Sequence, residues 1–286
     1  MERRPREGEM RRLAMRSLIP STVVLLLSGA LASACWAGGD AIRRVESGVD
    51  IEWYGHACFV IAAGSGARIV IDPFDPERFP YSLPEGPVTL AFASHDHSDH
   101  NYLPGVDCRI AVKGAAGGAM IADPPRTIPD YGTYSFSEDS TSYALRIVPS
   151  SHDEEGGAKR GHNVISVWEI DGIRIVHLGD LGCALDEKQV EAIGRPDVLM
   201  IPVGGYYTIN AEGARAVVEE LSPHVVIPMH FRTKALGDRV PISTADEFLK
   251  GWDKVRVIDG SVLHVSRSEI PEGPEVVLLS YHGQAD

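Results

Sequence analysis

From residue 51 onward the chain alternates short apolar runs with polar clusters, and the runs are too brief for most of them to be helices. Ile51–His56, Cys58–Ala62 and Arg68–Asp72 read as three strands, separated by Gly55 and by the turn signal Gly64-Ser-Gly66, and closed by Pro73. Their hairpin spacing predicts antiparallel pairs at a sheet edge. Asp72 to Pro87 is a proline-rich loop. Four later runs end the same way. Val88–Ala93 leads into Ser94 and His95, and Ala144–Val148 into Ser151, His152 and Asp153. Ile173–Val176 leads into His177 and Asp180, and Val225–Ile227 into Pro228, Met229 and His230. Val255–Ile258, Val262–Val265 and Val276–Leu279 are predicted to close the chain as strands.

Helical periodicity comes late. Ala214, Val217, Val218 and Leu221 form one apolar stripe, with Asn210 as the expected cap and Pro223 as the stop. Ala245, Phe248, Leu249 and Trp252 repeat that stripe, and Thr244 with Glu247 has capping-box spacing. Asp186 to Ile193 is a shorter third candidate. Strands alternating with one-faced helices predict an α/β fold with helices packed outside sheets. Side chains at the exits of neighbouring strands would then meet at one rim, which is how distant segments build a site on a rigid scaffold.

The beginning of the chain has a different pattern. Arg3, Arg4, Arg6, Arg11, Arg12 and Arg16 precede an apolar stretch from Leu18 to Leu31, and small residues Ala32-Ser33-Ala34 follow. Basic start, short apolar core and small-residue exit describe a secretory signal peptide over 1–34. A retained anchor fits less well, because the run is short for a span and interrupted by Pro20. Cys35 stands where a bacterial lipoprotein is acylated, so export predicts an extracytoplasmic protein, periplasmic or secreted, soluble or lipid-anchored at Cys35. Residues 35–50 read as a short linker and 51–286 as one domain without an internal break or repeat.

At 286 residues and 44% hydrophobic content the chain can bury a substantial core. Its formal charge is -13, and without residues 1–34 it carries 21 basic against 37 acidic side chains. So negative a surface repels phosphate backbones and argues against nucleic acid as partner. Cys35, Cys58, Cys108 and Cys183 show neither C-x-x-C spacing nor the density of a disulfide framework. Cys58 reads as a small core residue; Cys183 suits core packing or a pocket wall.

The densest chemistry is Ser94 to Asn101, which reads His-x-His-x-Asp-His at His95, His97, Asp99 and His100. Alternate residues leaving a strand point the same way, so His95 and His97 can converge on one ion. Asp99 and His100 fall where the chain must turn and can reach a second ion. Imidazole and carboxylate donors suit zinc, with manganese or iron as alternatives.

These residues resemble the metallo-β-lactamase superfamily. The similarity extends to Trp53–Ala57, Ile71–Phe74, His177–Gly182, Val198–Gly205 and Ile227–His230, covering most of the chain after the leader. The motifs are most similar to its ascorbate-6-phosphate lactonase-like branch, whose ligand pattern N-acylphosphatidylethanolamine phospholipase D also shares. The resemblance implies an αββα sandwich of two mixed sheets flanked by helices. It implies two divalent ions: one held by His95, His97 and His152, the other by Asp99, His100 and His230, with Asp180 bridging. A hydroxide on those ions would be the nucleophile toward an ester, lactone, amide or phosphoester of a small molecule. With seven ligands assigned, His56 and His177 are expected to support or pack rather than bind, and Asp72 to orient a ligand imidazole. Asp99, His177 or a metal-bound water could protonate the leaving group, and the sequence does not choose among them. Tyr206, Tyr207, Asn210 and Arg232 are candidate pocket residues, Arg232 for an anionic substrate group. His162, His224, His264 and His282 read as structural or exposed.

Two other readings compete. A β-lactamase would share the histidine motif and the export signal, but a bridging carboxylate at Asp180 departs from its site. A non-catalytic cell-envelope binding or assembly protein could keep one metal for structure, yet a structural zinc needs only four ligands.

Overall fold

The computed structural model describes residues 48–122, 125–138 and 141–284. Residues 1–34, read above as a signal peptide, and Cys35 lie outside the described residues. The first strand begins at Val49, two residues inside the segment read as linker.

Among the described residues, sixteen strands make two sheets. In chain order those of the first sheet are β1 (Val49–Gly55), β2 (Cys58–Ala63), β3 (Arg68–Ile71), β4 (Val88–Ala93), β5 (Cys108–Ala115), β6 (Gly118–Ile121) and β7 (Arg126–Pro129). The second sheet takes β8 (Thr133–Glu138), β9 (Thr141–Ser151), β10 (His162–Ile170), β11 (Ile173–His177), β12 (Val198–Pro202), β13 (Val225–Met229) and β14 (Val255–Ile258). β15 (Val262–Val265) returns to the first sheet and β16 (Glu275–Leu279) to the second. The spatial orders are β15-β1-β2-β3-β4-β5-β6-β7 and β14-β16-β13-β12-β11-β10-β9-β8. Both sheets are mixed: β3-β4-β5 and β14-β16-β13-β12-β11 run parallel and the remaining neighbours antiparallel. The early hairpins are antiparallel as expected, but β15 pairs with β1 from Val49↔Val265 to Glu52↔Val262, so β15 and not β1 is the edge.

Alternation explains the burial. On β2, Phe59 and Ile61 point into the core between the sheets, whereas Cys58 and Val60 point to the other face. Both faces are covered, which is why these strands read as unbroken apolar runs. The inter-sheet core includes Leu90, Phe92, Ile147, Trp168, Ile175 and Met200, all fully buried. Burying a side chain of that size contributes about 1.5–3 kcal/mol.

The helices are short and are gathered on one sheet. They are α1 (Glu187–Ile193), α2 (Ala211–Leu221) and α3 (Asp246–Leu249), and they join the core shared with β9 to β13. The outward face of the first sheet is covered instead by Phe74, Tyr81, Leu236 and Ile242 from loops. Asn210 caps α2 through Gly213 N–H at 2.9 Å, and Ser222 ends it in a left-handed conformation just before Pro223. The capping box expected at Thr244 and Glu247 does not form: Ala245 is the cap position, and the Thr244 hydroxyl donates to Asp246 instead. A reciprocal box exists at Asp186 and Gln189, where each side chain accepts the other's backbone N–H.

Candidate metal centre

Past β4 the chain does not continue as a strand. The backbone N–H groups of His100 and Asn101 both donate to the His97 carbonyl at 3.0 Å, closing a turn that swings the four motif side chains together. His95 Nε2 and His97 Nδ1 come within 3.0 Å. Beneath the turn lies Asp72, fully buried, at φ 49°. It accepts Ser94 N–H at 2.6 Å, the Ser94 hydroxyl at 2.7 Å and His100 Nδ1–H at 2.8 Å. The orienting role expected for Asp72 is thus visible in the contacts. The Ser94 carbonyl accepts Val164 N–H at 3.1 Å, which ties the motif to β10 in the opposite sheet.

The other candidate ligands arrive on loops with supports of their own. His152 follows β9 and donates its N–H to the Gly161 carbonyl at 3.1 Å. Within that loop the Asp153 carboxylate accepts the N–H groups of Glu155, Gly157, Lys159 and Arg160 at 2.7 to 2.9 Å. Asp180 is positioned by Asn163, whose Oδ1 accepts Asp180 N–H at 3.0 Å while its Nδ2 donates to Ser150 Oγ and the Leu178 carbonyl. Glycine is required on either side: a Cβ at Gly179 would lie 2.3 Å from Asn163 Oδ1, and one at Gly182 2.2 Å from the His152 carbonyl carbon. His230 follows β13 at φ 50°, its N–H on the His56 carbonyl at 3.0 Å.

The seven predicted ligands come together. The donor atoms of His95, His97 and His152 lie within 4.8 Å of one another, as do those of His95, His100 and Asp180, and those of His56, Asp99, His100 and His230. Asp180 connects these groups. Its Oδ2 is 3.1 Å from His152 Nε2, 3.3 Å from His230 Nε2 and 4.0 Å from His95 Nε2, and its Oδ1 is 3.2 Å from His100 Nε2. Apart from this ion pair with each other, His100 Nε2 and Asp180 Oδ1 find no well-directed hydrogen bond among the described residues, although both are buried. Buried polar atoms normally find partners. Two such atoms facing one space fit a cation that takes the place of the His100 proton.

The charges agree with that fit. Burial opposes ionisation of Asp180, but His100 and His230 outweigh it and hold the carboxyl well below its usual range. Burial likewise opposes a charge on His100, yet Asp180, Asp99 and Asp72 outweigh it and raise its pKa well above that of free imidazole. Burial and the neighbouring His100 push His95 down to about 3, so it offers a neutral ring. The pocket concentrates negative charge and calls for positive charge at its middle.

One expectation needs correction. His177 is fully buried with both ring nitrogens engaged: Nε2 donates to the Ala57 carbonyl at 2.9 Å and Nδ1 accepts Gly179 N–H at 3.0 Å. A ring so fixed has no proton to exchange with a substrate, so His177 braces the loop before Asp180. For Asp99, burial raises the pKa, but His100 and His56 outweigh it and hold the carboxyl well below its usual range. Arg232 is paired with Asp238 at 2.9 Å. Tyr206 and Asn210 line a cavity of about 350 Å³ with Glu154, Gly182, Cys183 and Thr208, beside the His152 and Asp180 loops. Tyr207 lies under the Arg160 guanidinium, 5.6 Å from its ring centre, joining the loop after His152 to the one near His230. The reading of the sequence passed over Asn163 and named Ser94 and Asp153 only as polar residues at strand exits, without their supporting roles; those roles depend on contacts that no spacing announces.

Comparison with known proteins agrees with this arrangement. The profile of the β-lactamase superfamily domain matches residues 50–230. A UPF0173 metal-dependent hydrolase of Archaeoglobus fulgidus is 30% identical over 207 residues, spanning 67% of this chain and 87% of its own. One from Anaeromyxobacter dehalogenans is 29% identical over 253 residues, spanning 76% and 86%. A crystal structure from Thermotoga maritima in the metallo-β-lactamase superfamily superposes with a TM-score of 0.61 at 32% identity, covering 82% of this chain and all of that one. With its two-sheet sandwich and its converging histidines and aspartates, this chain belongs to the metallo-β-lactamase superfamily.

Proposed function

We propose that this chain, a metal-dependent hydrolase of that superfamily, works with two divalent ions on a small-molecule ester, lactone, amide or phosphoester. The observation that carries the reading is Asp180, whose two oxygens reach His100, His152 and His230 within 3.3 Å. On that reading His95, His97 and His152 would hold one ion, Asp99, His100 and His230 the other, and Asp180 would serve as a ligand as well. Zinc suits these donors, and the Thermotoga maritima relative is described as a candidate Zn-dependent hydrolase. Bound ions of this kind make water acidic enough to attack at neutral pH and polarise the substrate oxygen.

The residues of the chain do the rest. Asp72 and Ser94 hold His100 and His95 in fixed orientations. His97 and Asp99 are the more exposed members, so substrate enters on their side. The cavity beside Gly182 and Tyr206 offers room for a leaving group. The lactonase-like branch that the motifs resemble makes lactones and phosphoesters the first substrates to try. We propose export as well, with cleavage after Ala34 and an extracytoplasmic mature form.

The deciding experiment measures metal content, then screens lactones, phosphodiesters, N-acyl amides and a β-lactam with and without chelator. Two ions per chain and chelator-sensitive turnover are expected. One inert ion and no turnover on any class would leave the non-catalytic envelope protein, and turnover of the β-lactam alone the β-lactamase.

A further inference from the structure

We infer that His56 is the positioning residue of the second ion's half of the centre, holding Asp99 and His230 in place so that this ion is retained. The inference rests on the two-ion reading above and goes beyond it by making the two sites unequal.

Four contacts converge on this one residue. Its Nε2 lies 3.1 Å from Asp99 Oδ2. Its ring packs on the His230 ring with centres 4.0 Å apart and planes tilted by 42°. Its carbonyl accepts His230 N–H at 3.0 Å and the Trp53 indole N–H at 3.1 Å. His56 therefore fixes a carboxylate through its ring nitrogen and an imidazole through its ring and its backbone. Its own φ is 51°, as His230's is 50°, and a left-handed backbone at a non-glycine residue is uncommon and gathers at functional sites.

The geometry favours bracing over ligation. The rings of the candidate ligands lie 4.4 to 5.8 Å apart. His56 and His230 are closer, at 4.0 Å with planes tilted by 42°, and the Nε2 of His56 is already taken by the Asp99 carboxylate. Need and support also coincide. Asp99 is 25% exposed, whereas His100, Asp180 and His230 are nearly or fully buried, so Asp99 is the ligand freest to turn to solvent. The first ion's residues have separate supports in Ser94 and the loop closed by Asp153. Hydrogen-bonded partners of metal-binding side chains are worth about 10–100-fold in affinity.

The test compares wild type, His56→Phe and His56→Gln by metal analysis after dialysis and by zinc titration calorimetry. Phe keeps the ring face and loses the donor; Gln restores a donor at about the same reach. His56→Phe is expected to keep one ion and lose at least tenfold in affinity for the other, and His56→Gln to retain both. His56→Leu, checked by circular dichroism, replaces Phe if the phenyl ring disrupts folding. Two ions at wild-type affinity in the folded Phe or Leu variant would overturn the inference. A wild type that takes only one ion would overturn the two-ion reading, and this inference with it, before any variant is made.

Discussion

The Asp72 carboxylate accepts the Nδ1–H of His100 at 2.8 Å, and neither side chain is open to solvent. This bond fixes the His100 tautomer and aims Nε2 at the space beside Asp180. Asp72→Asn should therefore weaken metal binding by about 10–100-fold while the fold persists. Zinc titration together with far-UV circular dichroism checks this, and unchanged affinity would show that the orientation of His100 does not matter.

Loading the centre should release protons near neutral pH. The folded pKa of His100 is raised, so the metal-free protein keeps that proton where His95, held near 3, has none to lose. A raised imidazole stabilises the metal-free fold fully below the unfolded value of about 6.5, and that contribution fades as pH rises through the folded value. A cation must displace the proton, so apparent affinity should rise with pH. Calorimetry at pH 7 in two buffers of different ionisation enthalpy counts the protons; none released would contradict the assignment.

Asp153 should control the order of the loop behind His152. Burial pushes its carboxyl up, but the N–H groups of Arg160, Glu155, Gly157 and Lys159 outweigh that and hold it at about 2. The depressed pKa stabilises the loop above the unfolded value of about 4, and the effect is lost as pH falls toward 2. Asp153→Ala should speed amide exchange at Glu155 to Arg160 at neutral pH, with little change in β4 or β10. Protection equal to wild type would show that the carboxylate is not what holds the loop.

Core and rim should separate cleanly under mutation. Leu90→Ala removes a fully buried side chain between the sheets and should cost about 2–5 kcal/mol in urea unfolding. His97 is exposed at the rim, so His97→Ala should move metal-free stability by no more than about 0.5 kcal/mol while abolishing activity and first-ion binding. Global unfolding of the His97 variant would place the centre inside the stabilising core.

Much of this was written locally. Apolar runs at Val88–Ala93, Ile173–His177 and Val225–Met229 are strands because a strand buried on both faces needs no polar alternation. Each ends in donors because a strand exit is where a side chain can be rigid and still reach a cavity. The Asn210 cap was legible for a similar reason, since it acts on an N–H three residues away. The box expected at Thr244 failed although its letters were right, because α3 is only one turn long and starts later.

The amino-acid order alone determined the strands that lead into His95, His152, His177 and His230 and the polar residues at their exits, because those depend on neighbours within a few residues; the grouping of seven donors came from the family resemblance. Tertiary structure alone decided that β15 rather than β1 closes the first sheet, that His177 is locked between Ala57 and Gly179, and that Asn163 holds Asp180. It also decided that His56 meets Asp99, 43 positions away. Such contacts are set by which strands pair and how two sheets stack, a long-range packing choice that alternation along one strand does not encode.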